Sequence, residues 1–389
     1  MEIVFVSDTF HHHQKGVADT LYDLTNGSYC FITTLSMREE RKKMGFVNDY
    51  PSYVLDASSR TYNIWSKAKK IIDDADTVVL GSAPYELLSN RLKAGKLTFR
   101  YSERLWKQYK HYLKTPFYMF DNFKTRNCRL LCASAFAAHD YNTIGAFKGR
   151  CYKWGYFPEV NGDLESFNLC KNIKSRTQVR LMWCSRFLNL KHPELPIFLA
   201  KILKEKGYSF SIDMYGSGQY LEKTQNLVES LGVDDVIFLK GNVPNNQIIG
   251  SMRTADVFLF TSDRGEGWGV VTNEAMANGC AIVASDKIGS VPYLVQDKKN
   301  GCTFHSSSRL CGFNTFGVNV DMSALNSLTE KVEWLINNPK ERMRISIEAQ
   351  KTIREVWSPV VAAKNLLTLI DDIKQGRDTS IKYGPCSKA

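Results

Sequence analysis

Short apolar runs alternate with longer amphipathic segments along the whole chain. The run IVFVS at 3–7 is the first, and TVVL at 77–80 and VFLF at 257–260 are equally apolar. Runs of this length are typical of strands that a parallel sheet buries on both faces. The segments between them have the length of helices. The pattern therefore predicts an α/β protein in which strands of parallel sheets alternate with covering helices.

The alternation stops once and then begins again, which predicts two Rossmann-like, doubly wound domains. In the first half we predict strands at 3–7, 29–33, 53–55, 77–80, 97–102 and 129–132, and helices at 17–24, 64–74, 84–93, 103–113 and 134–141. In the second half we predict strands at 179–183, 209–214, 236–239, 257–260 and 281–284, and helices at 193–205, 220–231, 246–255, 325–337 and 341–356. Two such halves are expected to leave a cleft at the carboxyl ends of their strands.

The predicted domain boundaries follow from this interruption. Residues 1–160 form the first domain, 161–176 a polar linker and 177–357 the second domain. Residues 358–389 form a C-terminal helix and tail, in which Pro359 should kink or break the helical pattern. A chain of 389 residues is long enough for two domains of this size.

Composition narrows the class of protein. No run approaches the roughly 18 apolar residues of a membrane-spanning helix, and MEIVFVSD is expected to be a first strand and not a signal peptide. Ten cysteines without a disulfide or zinc spacing predict free thiols and a cytoplasmic protein.

The net charge of +11 is concentrated in the first domain. Residues 1–160 carry 23 Lys and Arg against 16 Asp and Glu, and residues 161–389 carry 28 against 24. This excess indicates anionic partners or a solvated basic face. Without a nucleic-acid-binding signature, no nucleic-acid partner is expected.

The stretch GEGWGVVTNEAMANGCAIVASD at 265–286 carries the candidate chemistry. Glu266 lies in a glycine-broken loop and Glu274 on the helix that follows, and either carboxylate can accept hydrogen bonds from the vicinal hydroxyls of a ribose or a sugar. The start of that helix, near Val270, offers amides to a phosphate. By spacing alone two such glutamates are ordinary, and the glycines between them favour a site.

Two cations follow the first strand of the second half. Arg186 and Lys191 can bind a diphosphate, or they are surface charges, and Gly216 lies in GSG, which is either a plain turn or a site of close approach. No Asp-x-Asp stands at a strand end. We therefore expect no metal and no cofactor, with fixed cations stabilising the leaving diphosphate.

Together with SRFLNLKH, MYGSGQ and VIFLKGNVP, this stretch resembles the signature of the retaining glycosyltransferases of family 4, which have the GT-B fold of two Rossmann-like domains. The resemblance implies that Glu274 binds the ribose hydroxyls, Glu266 lies near the transferred sugar, and Arg186 and Lys191 bind the diphosphate. It also implies that Gly216 lets the donor pass close to the backbone, and that VWSPV at 356–360 begins a kinked helix that returns to the first domain. The remaining donor contacts that it implies are Gly267, Trp268, Gly269, Val270, Val271, Asn242 and Val243.

The first half departs from that family. FHHHQKG at 10–16 replaces the usual glycine loop after the first strand and is predicted to be a loop, with His13 and Gln14 on the acceptor side. Metal binding by the histidines and a plain loop are the alternatives. A histidine that many members carry near the reacting sugar is absent from the strand at 97–102, and Glu103 takes its place among the candidate catalytic residues, with Ser102 or Arg104 as alternatives.

These features predict a glycosyltransferase that moves a sugar from a nucleotide-diphosphate sugar to a glycan or lipid-linked acceptor in surface polysaccharide synthesis. The basic, aromatic segment 106–112 suggests peripheral contact with an anionic membrane. The alternatives are a nucleotide-sugar epimerase or a phosphorylase on the same fold, and a non-catalytic subunit that binds the nucleotide sugar.

Overall fold

The chain forms two units. The computed structural model describes residues 1–36, 50–107, 109–124, 128–159, 178–306, 311–315 and 317–389, except for the side chains of 109–111 and 121–124. The first unit comprises residues 1–159 and 356–389, and the second comprises residues 160–355. The predicted linker, 161–176, lies outside the described residues.

The first unit is built on a seven-stranded parallel sheet. Its strands are β1 (Ile3–Ser7), β2 (Tyr29–Thr33), β3 (Val54–Asp56), β4 (Thr77–Leu80), β5 (Thr98–Ser102), β6 (Arg129–Cys132) and β7 (Cys151–Lys153). Its helices up to residue 159 are α1 (His12–Leu24), α2 (Tyr62–Asp74), α3 (Ser89–Lys93), α4 (Thr115–Lys124) and α5 (Ala137–Thr143), with 3-10 helices at Tyr85–Leu88 and Tyr109–Lys114. The strand order β3-β2-β1-β4-β5-β6-β7 reverses between β1 and β4.

The second unit repeats this architecture with a six-stranded parallel sheet. Its strands are β8 (Val179–Cys184), β9 (Phe210–Tyr215), β10 (Ile237–Gly241), β11 (Val257–Phe260), β12 (Ala281–Ser285) and β13 (Cys302–Phe304), in the order β10-β9-β8-β11-β12-β13. Its helices are α6 (Glu194–Glu205), α7 (Leu221–Ser230), α8 (Asn245–Thr254), α9 (Val271–Ala277), α10 (Val291–Leu294), α11 (Met322–Asn337) and α12 (Pro339–Lys351). A hairpin of β14 (Gly312–Asn314) and β15 (Gly317–Asn319), which was not predicted, lies outside the sheet.

The predicted loop at 10–16 is wrong from His12 onward, because α1 begins there. The Gln14 amide donates to the His11 carbonyl at 2.8 Å, and the His11 amide donates to Gln14 Oε1 at 3.2 Å. These reciprocal bonds satisfy donors at the helix start, where a sequence of three histidines gives no such signal. Gln14 therefore has a capping role.

The predicted helix at 103–113 is wrong over 103–107, its end coincides with the 3-10 helix at Tyr109–Lys114, and the α-helix of this region lies later in the chain. Trp106 is buried and stacks on Tyr112 at 5.1 Å, so the two rings do not lie together on an exposed helix face. Pro116 is the second residue of α4, a position where its missing N–H costs no helical hydrogen bond. The helix consequently starts at Thr115.

The C-terminal segment completes the first unit. Helix α13 (Pro359–Lys374) begins at the proline that was predicted to kink it, and the Ser358 hydroxyl accepts from the Val361 amide at 3.3 Å. The last residues then pair with β7, where Cys386 donates its amide to the Lys153 carbonyl at 2.7 Å. This pairing covers the backbone of an edge strand that sequence analysis missed.

Two further findings concern the whole described chain. Among the described residues, no helix combines the length and the apolar character that crossing a membrane requires. The nine cysteines in this part of the chain are free thiols.

A pair of helical glycines tests the packing of α1 against α13. A Cβ atom on Gly16 would lie 2.9 Å from Pro359 Cγ, a ring atom that cannot rotate away, whereas a Cβ on Gly250 in α8 meets nothing within 4 Å. We expect Gly16→Ala to lower the free energy of unfolding by about 1–3 kcal/mol through overpacking. The control Gly250→Ala should raise it by up to about 1 kcal/mol through helix propensity. Chemical denaturation measures both, and equal stabilisation by the two changes would contradict the described contact.

Candidate functional site

The strands β8 and β11 are neighbours at the centre of the second sheet, and the strand order reverses between them. The chain leaves their carboxyl ends in two loops, 185–193 and 261–270. In doubly wound sheets this point forms a crevice in which ligands bind. The first loop holds Arg186 and Lys191, and the second holds Glu266, so the topology brings the predicted residues to one place.

Thr261 fixes the first loop to the end of β11. Its hydroxyl accepts from the buried Trp183 indole N–H at 2.9 Å and donates to the Lys191 carbonyl at 2.6 Å. In a second hydrogen bond between the loops, the Asp263 amide donates to the Leu190 carbonyl at 2.9 Å. The main chain at Lys191 is therefore fixed from two directions.

Lys191 and Glu266 form an ion pair across the two loops. Their side chains are only 11% and 15% exposed, so solvent screens the pair less than it screens a surface ion pair. The Lys191 ammonium also lies 5.6 Å from the centroid of the Phe260 ring. A cation and a carboxylate are thus held together, partly dehydrated, at the switch point.

A buried charged cluster supports the pair, and sequence analysis assigned it no role. His192 Nδ1 lies 2.7 Å from Glu194 Oε1, and its Nε2 lies 3.6 Å from Asp263 Oδ2. Desolvation alone would lower the pKa of His192, but the hydrogen bonds and charges of Asp263 and Glu194 outweigh it and raise the pKa to about 10. A protonated His192 therefore links the start of α6 to the second loop. The only sequence signal was its place directly after Lys191.

The main chain of the turn after β9 packs directly against the main chain of the first loop. Gly216 has a φ of +128°, and a Cβ atom there would lie 2.0 Å from the Ser185 carbonyl oxygen. Gly218, with a φ of +153°, would place a Cβ 2.6 Å from the Phe187 carbonyl oxygen. Both positions exclude a side chain because of this contact, whether or not a ligand also approaches Gly216.

The glycine-containing loop before α9 is partly buried in the hydrophobic core. Gly269 has a φ of +81°, and a Cβ atom there would lie 2.7 Å from the Phe260 ring. Trp268 is 1% exposed, and its indole N–H donates to Asn273 Oδ1 at 2.9 Å. The predicted donor contact at Trp268 therefore rests on its main chain, since the indole is buried in the protein.

Glu274 projects from α9, which is only seven residues long, and is partly buried. Burial raises the pKa of its carboxyl to about 7. Desolvation chiefly raises the pKa of the Cys184 thiol, at the end of β8, to about 12. The charges of Glu274 and Lys191 also act on this thiol. The charges of Glu274 and Lys191 therefore both act at the end of β8.

The remaining predicted donor residues lie at the rim of this region. Arg186 is exposed, and in the described part of the chain its guanidinium makes no hydrogen bond or ion pair. Asn242 is exposed in the turn after β10, and Val243 beside it is half-buried. Val270 precedes α9 and accepts from the Glu274 amide at 3.2 Å, and Val271 is the first helical residue. Gly267 is buried in the second loop.

In the first unit, the predicted acceptor-side residues gather around one tyrosine. The Tyr156 hydroxyl donates to Glu103 Oε1 at 3.2 Å, and the His13 ring lies 6.4 Å from the Tyr156 ring. Glu103 also forms an ion pair with Lys107, so its carboxylate has two protein partners. Desolvation and the charge of Glu103 raise the pKa of Tyr156, which stays a neutral donor.

The sequence of the second unit matches a known family. The family described as "Glycosyl transferases group 1" matches residues 171–309. The WcaL protein of Escherichia coli (strain K12), named as a colanic acid biosynthesis glycosyltransferase, is 27% identical over 41% of this chain and 42% of its own length. The amylovoran biosynthesis glycosyltransferase AmsK of Erwinia amylovora is 28% identical over 35% of each chain. The chain thus spans less than half the length of these curated relatives.

Solved structures extend the similarity of fold to nearly the whole chain. HepE from Anabaena, crystallised with UDP, superposes with a TM-score of 0.69 at 12% identity, covering 96% of this chain and all of that one. WaaG, described as a glycosyltransferase involved in lipopolysaccharide biosynthesis, gives a TM-score of 0.59 at 15% identity over 93% and 98% of the two chains. Residues 171–309 are thus similar to the group 1 glycosyltransferases, and the two Rossmann-like units have the GT-B fold.

Proposed function

We propose that this protein is a retaining, metal-independent glycosyltransferase. It moves a sugar from a nucleotide-diphosphate sugar to a hydroxyl of a glycan or lipid-linked acceptor in surface polysaccharide synthesis. The observation that carries the proposal is the position of Glu274 and the Lys191–Glu266 pair at the switch point of the segment that matches the family. The names of WcaL and AmsK support the pathway, and the UDP complex of HepE supports the class of donor.

Glu274 has the properties that binding a ribose requires. An ionised carboxylate only accepts hydrogen bonds, and vicinal hydroxyls offer it two donors. Burial disfavours the ionised form, which is why the pKa of Glu274 is about 7. Hydrogen bonds from a ribose diol would stabilise the ionised carboxylate.

Lys191 and Arg186 supply positive charge for the diphosphate. The Lys191 ammonium is already partly dehydrated and held by Glu266, so its position is set before the donor arrives. When the bond between the anomeric carbon and the phosphate oxygen breaks, negative charge grows on the leaving diphosphate. Fixed cations stabilise that charge, which is the role that a metal ion has in other enzymes.

The ion pair argues against a covalent intermediate on Glu266. Glu266 neutralises Lys191, and a carboxylate in such a pair is a poor nucleophile. In the proposed step, the acceptor oxygen bonds to the anomeric carbon on the face that the diphosphate leaves. The acceptor hydroxyl gives its proton to the leaving phosphate oxygen, so the atoms and charges balance.

The other candidate functions predict different reactions. An epimerase converts a nucleotide sugar without an acceptor, and a phosphorylase consumes inorganic phosphate. A non-catalytic subunit binds the donor and releases no nucleoside diphosphate in the presence of any acceptor. The relatives named above are glycosyltransferases, which does not favour these alternatives.

The variant Glu274→Gln tests the ribose contact. We expect it to weaken nucleoside diphosphate binding about tenfold or more, since hydrogen bonds to a charged group are lost. Binding to the unmodified protein should strengthen as the pH rises through about 7, where Glu274 ionises, and the variant should lose this dependence. Isothermal titration calorimetry across pH 6–8 measures both effects.

The pH dependence of the stability of the same variant distinguishes a binding role for Glu274 from a structural role. The folded pKa of Glu274 lies above the unfolded value of 4.5, so the free energy of unfolding falls as pH rises from about 4.5 to 7 and stays reduced above. Glu274→Gln removes this penalty and should raise the melting temperature above pH 7. Glu222→Gln, at an exposed position of α7, is the matched control. Unchanged nucleotide affinity in the Glu274 variant would refute the ribose role.

Metal independence predicts turnover in a chelator. We expect release of nucleoside diphosphate from a panel of nucleotide sugars to be equally fast with EDTA and with added Mg²⁺ or Mn²⁺, because fixed cations stabilise the leaving group. Lys191→Gln should slow release in either condition. A strict requirement for Mg²⁺ or Mn²⁺ would contradict this part of the proposal.

We also propose that the first unit docks on an anionic membrane surface. A group of its exposed apolar residues lies at the start of α4 and just before it, where Leu113 is 83%, Phe117 74% and Phe120 65% exposed. Lys114 is exposed among them. Apolar side chains next to lysines are typical of segments that lie in the interface of anionic lipids. We propose this segment in preference to 106–112, because Trp106 is buried.

Co-sedimentation with vesicles tests the docking surface. We expect binding to vesicles that contain anionic lipid, weakened by high salt and abolished by the double change Phe117→Ser and Phe120→Ser. Tyr62→Ser, which removes an 85% exposed ring elsewhere on the same unit, should bind like the unchanged protein. Equal sedimentation of all three proteins, or none of any, would rule out this surface.

A further inference from the structure

Two contacts between side chains join the first loop to the second, and they come from consecutive residues. Lys191 pairs with Glu266. The next residue, His192, has its Nε2 atom 3.6 Å from Asp263 Oδ2 and its Nδ1 atom 2.7 Å from Glu194 Oε1 on α6. The His192 side chain is 3% exposed and that of Glu194 0%, so this contact lies deeper in the protein than the first. The loops are thus joined by a partly exposed contact and by a buried one.

We propose that His192 is a positioning residue for sugar transfer. Acting through Asp263, it keeps the two loops together while the donor diphosphate takes Lys191 away from Glu266. This inference rests on the function proposed above, because it assumes that Lys191 binds the diphosphate. The ligand competes for the Lys191–Glu266 pair and not for the buried contact. Without the buried contact, the loops could separate whenever the donor opens that pair.

Asp263 connects His192 to the main chain of Glu266. Its Oδ1 atom accepts from the Gly265 amide at 2.6 Å, and its carbonyl accepts from the Glu266 amide at 3.1 Å. The Asp263 amide in turn donates to the Leu190 carbonyl at 2.9 Å. A displacement of Asp263 therefore displaces the residue whose carboxylate is expected near the transferred sugar.

The backbone of His192 has an unusual conformation for a residue with a side chain. Its φ is +48° and its ψ +58°, in the left-handed region where residues other than glycine are strained. Its carbonyl accepts from the Thr261 hydroxyl and from the Leu195 amide, both at 3.2 Å. Strained residues of this kind are concentrated at functional sites. Glycine would adopt the same turn without strain, so the imidazole contributes something that offsets this cost.

Stability alone does not account for a buried cation between two carboxylates. Desolvation would lower the pKa of His192, but Asp263 and Glu194 raise it to about 10, so the imidazole is charged at neutral pH. Taking charged groups out of water is costly, and apolar residues can often replace a buried ion pair without loss of stability. The contact does fix the geometry of the groups that it joins, which is the property that a positioning residue needs.

The variant His192→Gly removes the imidazole and relieves the strain. We expect turnover, measured as nucleoside diphosphate released from the panel of nucleotide sugars, to fall about tenfold or more, because small displacements of reacting groups are costly. The affinity for UDP or GDP, measured by calorimetry, should stay the same, since Lys191 and Glu274 remain. The control His305→Gly removes a 57% exposed histidine that lies 3.0 Å from Asp286 in the same unit, and it should change neither quantity.

A double variant tests whether His192 acts through Asp263. If it does, His192→Gly combined with Asp263→Asn should be no slower than the slower of the two single variants, because both changes break the same contact. Turnover losses that add up in the double variant would contradict a shared route.

A spectroscopic measurement decides the question where turnover is too slow to follow or His192→Gly fails to fold. In protein labelled with ¹⁵N-histidine, both ring nitrogens of His192 should stay protonated at about pH 8, where an ordinary histidine is neutral, and should remain so when UDP or GDP binds. His192→Asn, which also tolerates the left-handed region, identifies the signal.

The outcomes separate this inference from the function on which it rests. Loss of the His192 proton on nucleotide binding, or equal losses of affinity and turnover in the His192 variants, would overturn the positioning role. Unchanged nucleotide affinity in Lys191→Gln would contradict the proposed binding of the diphosphate instead, and it would leave the protonation of His192 unaffected.

Discussion

The hydrogen bonds of the Thr261 hydroxyl hold together the part of the second unit on which the candidate site depends. This hydroxyl accepts from Trp183 inside the core and donates to the main chain at Lys191. A buried hydroxyl with both partners satisfied is rigid, because breaking either bond leaves a polar group without water. These hydrogen bonds therefore hold the loop that carries Lys191 rigidly against the sheet. The buried His192, between Glu194 and Asp263, fixes the facing loop to the same segment.

Main-chain contacts set a second constraint. Gly216, Gly218 and Gly269 all have positive φ values and lie where a Cβ atom would strike neighbouring atoms. In each case the neighbour belongs to the protein, namely the Ser185 carbonyl, the Phe187 carbonyl and the Phe260 ring. Gly216 and Gly218 therefore allow the turn after β9 to approach the first loop, and Gly269 allows the second loop to pack on the end of β11. Their conformational freedom is needed to build the site itself, whether or not a ligand also approaches them.

Much of this architecture follows from the sequence, and the exceptions have identifiable causes. Buried parallel strands have a strong apolar pattern, so the central strands of both sheets were predicted within one or two residues. The short strand β7 was missed, because three residues give no periodicity and its pairing partner lies more than 200 residues away at Lys388. The start of α1 depends on a reciprocal capping bond between His11 and Gln14, which composition alone does not indicate.

In the candidate site, too, some residues could be predicted from the sequence and others could not. Glu266 and Glu274 were found because the glycines around them mark a loop at the end of an apolar strand. His192 and Glu194 were missed, because their burial between the two loops depends on how the strands are ordered in the sheet and not on residue spacing.

The two cations assigned to the donor diphosphate differ in their surroundings, and this difference bears on how an anionic ligand would bind. The buried Lys191 has its own carboxylate, so a diphosphate must compete with Glu266 for it. Arg186 is exposed and makes no ion pair with the described residues, so its charge is available without such competition. A diphosphate brings more charge than a single phosphate and can displace an internal partner such as Glu266. The arrangement therefore suits a diphosphate better than a ligand with one phosphate group.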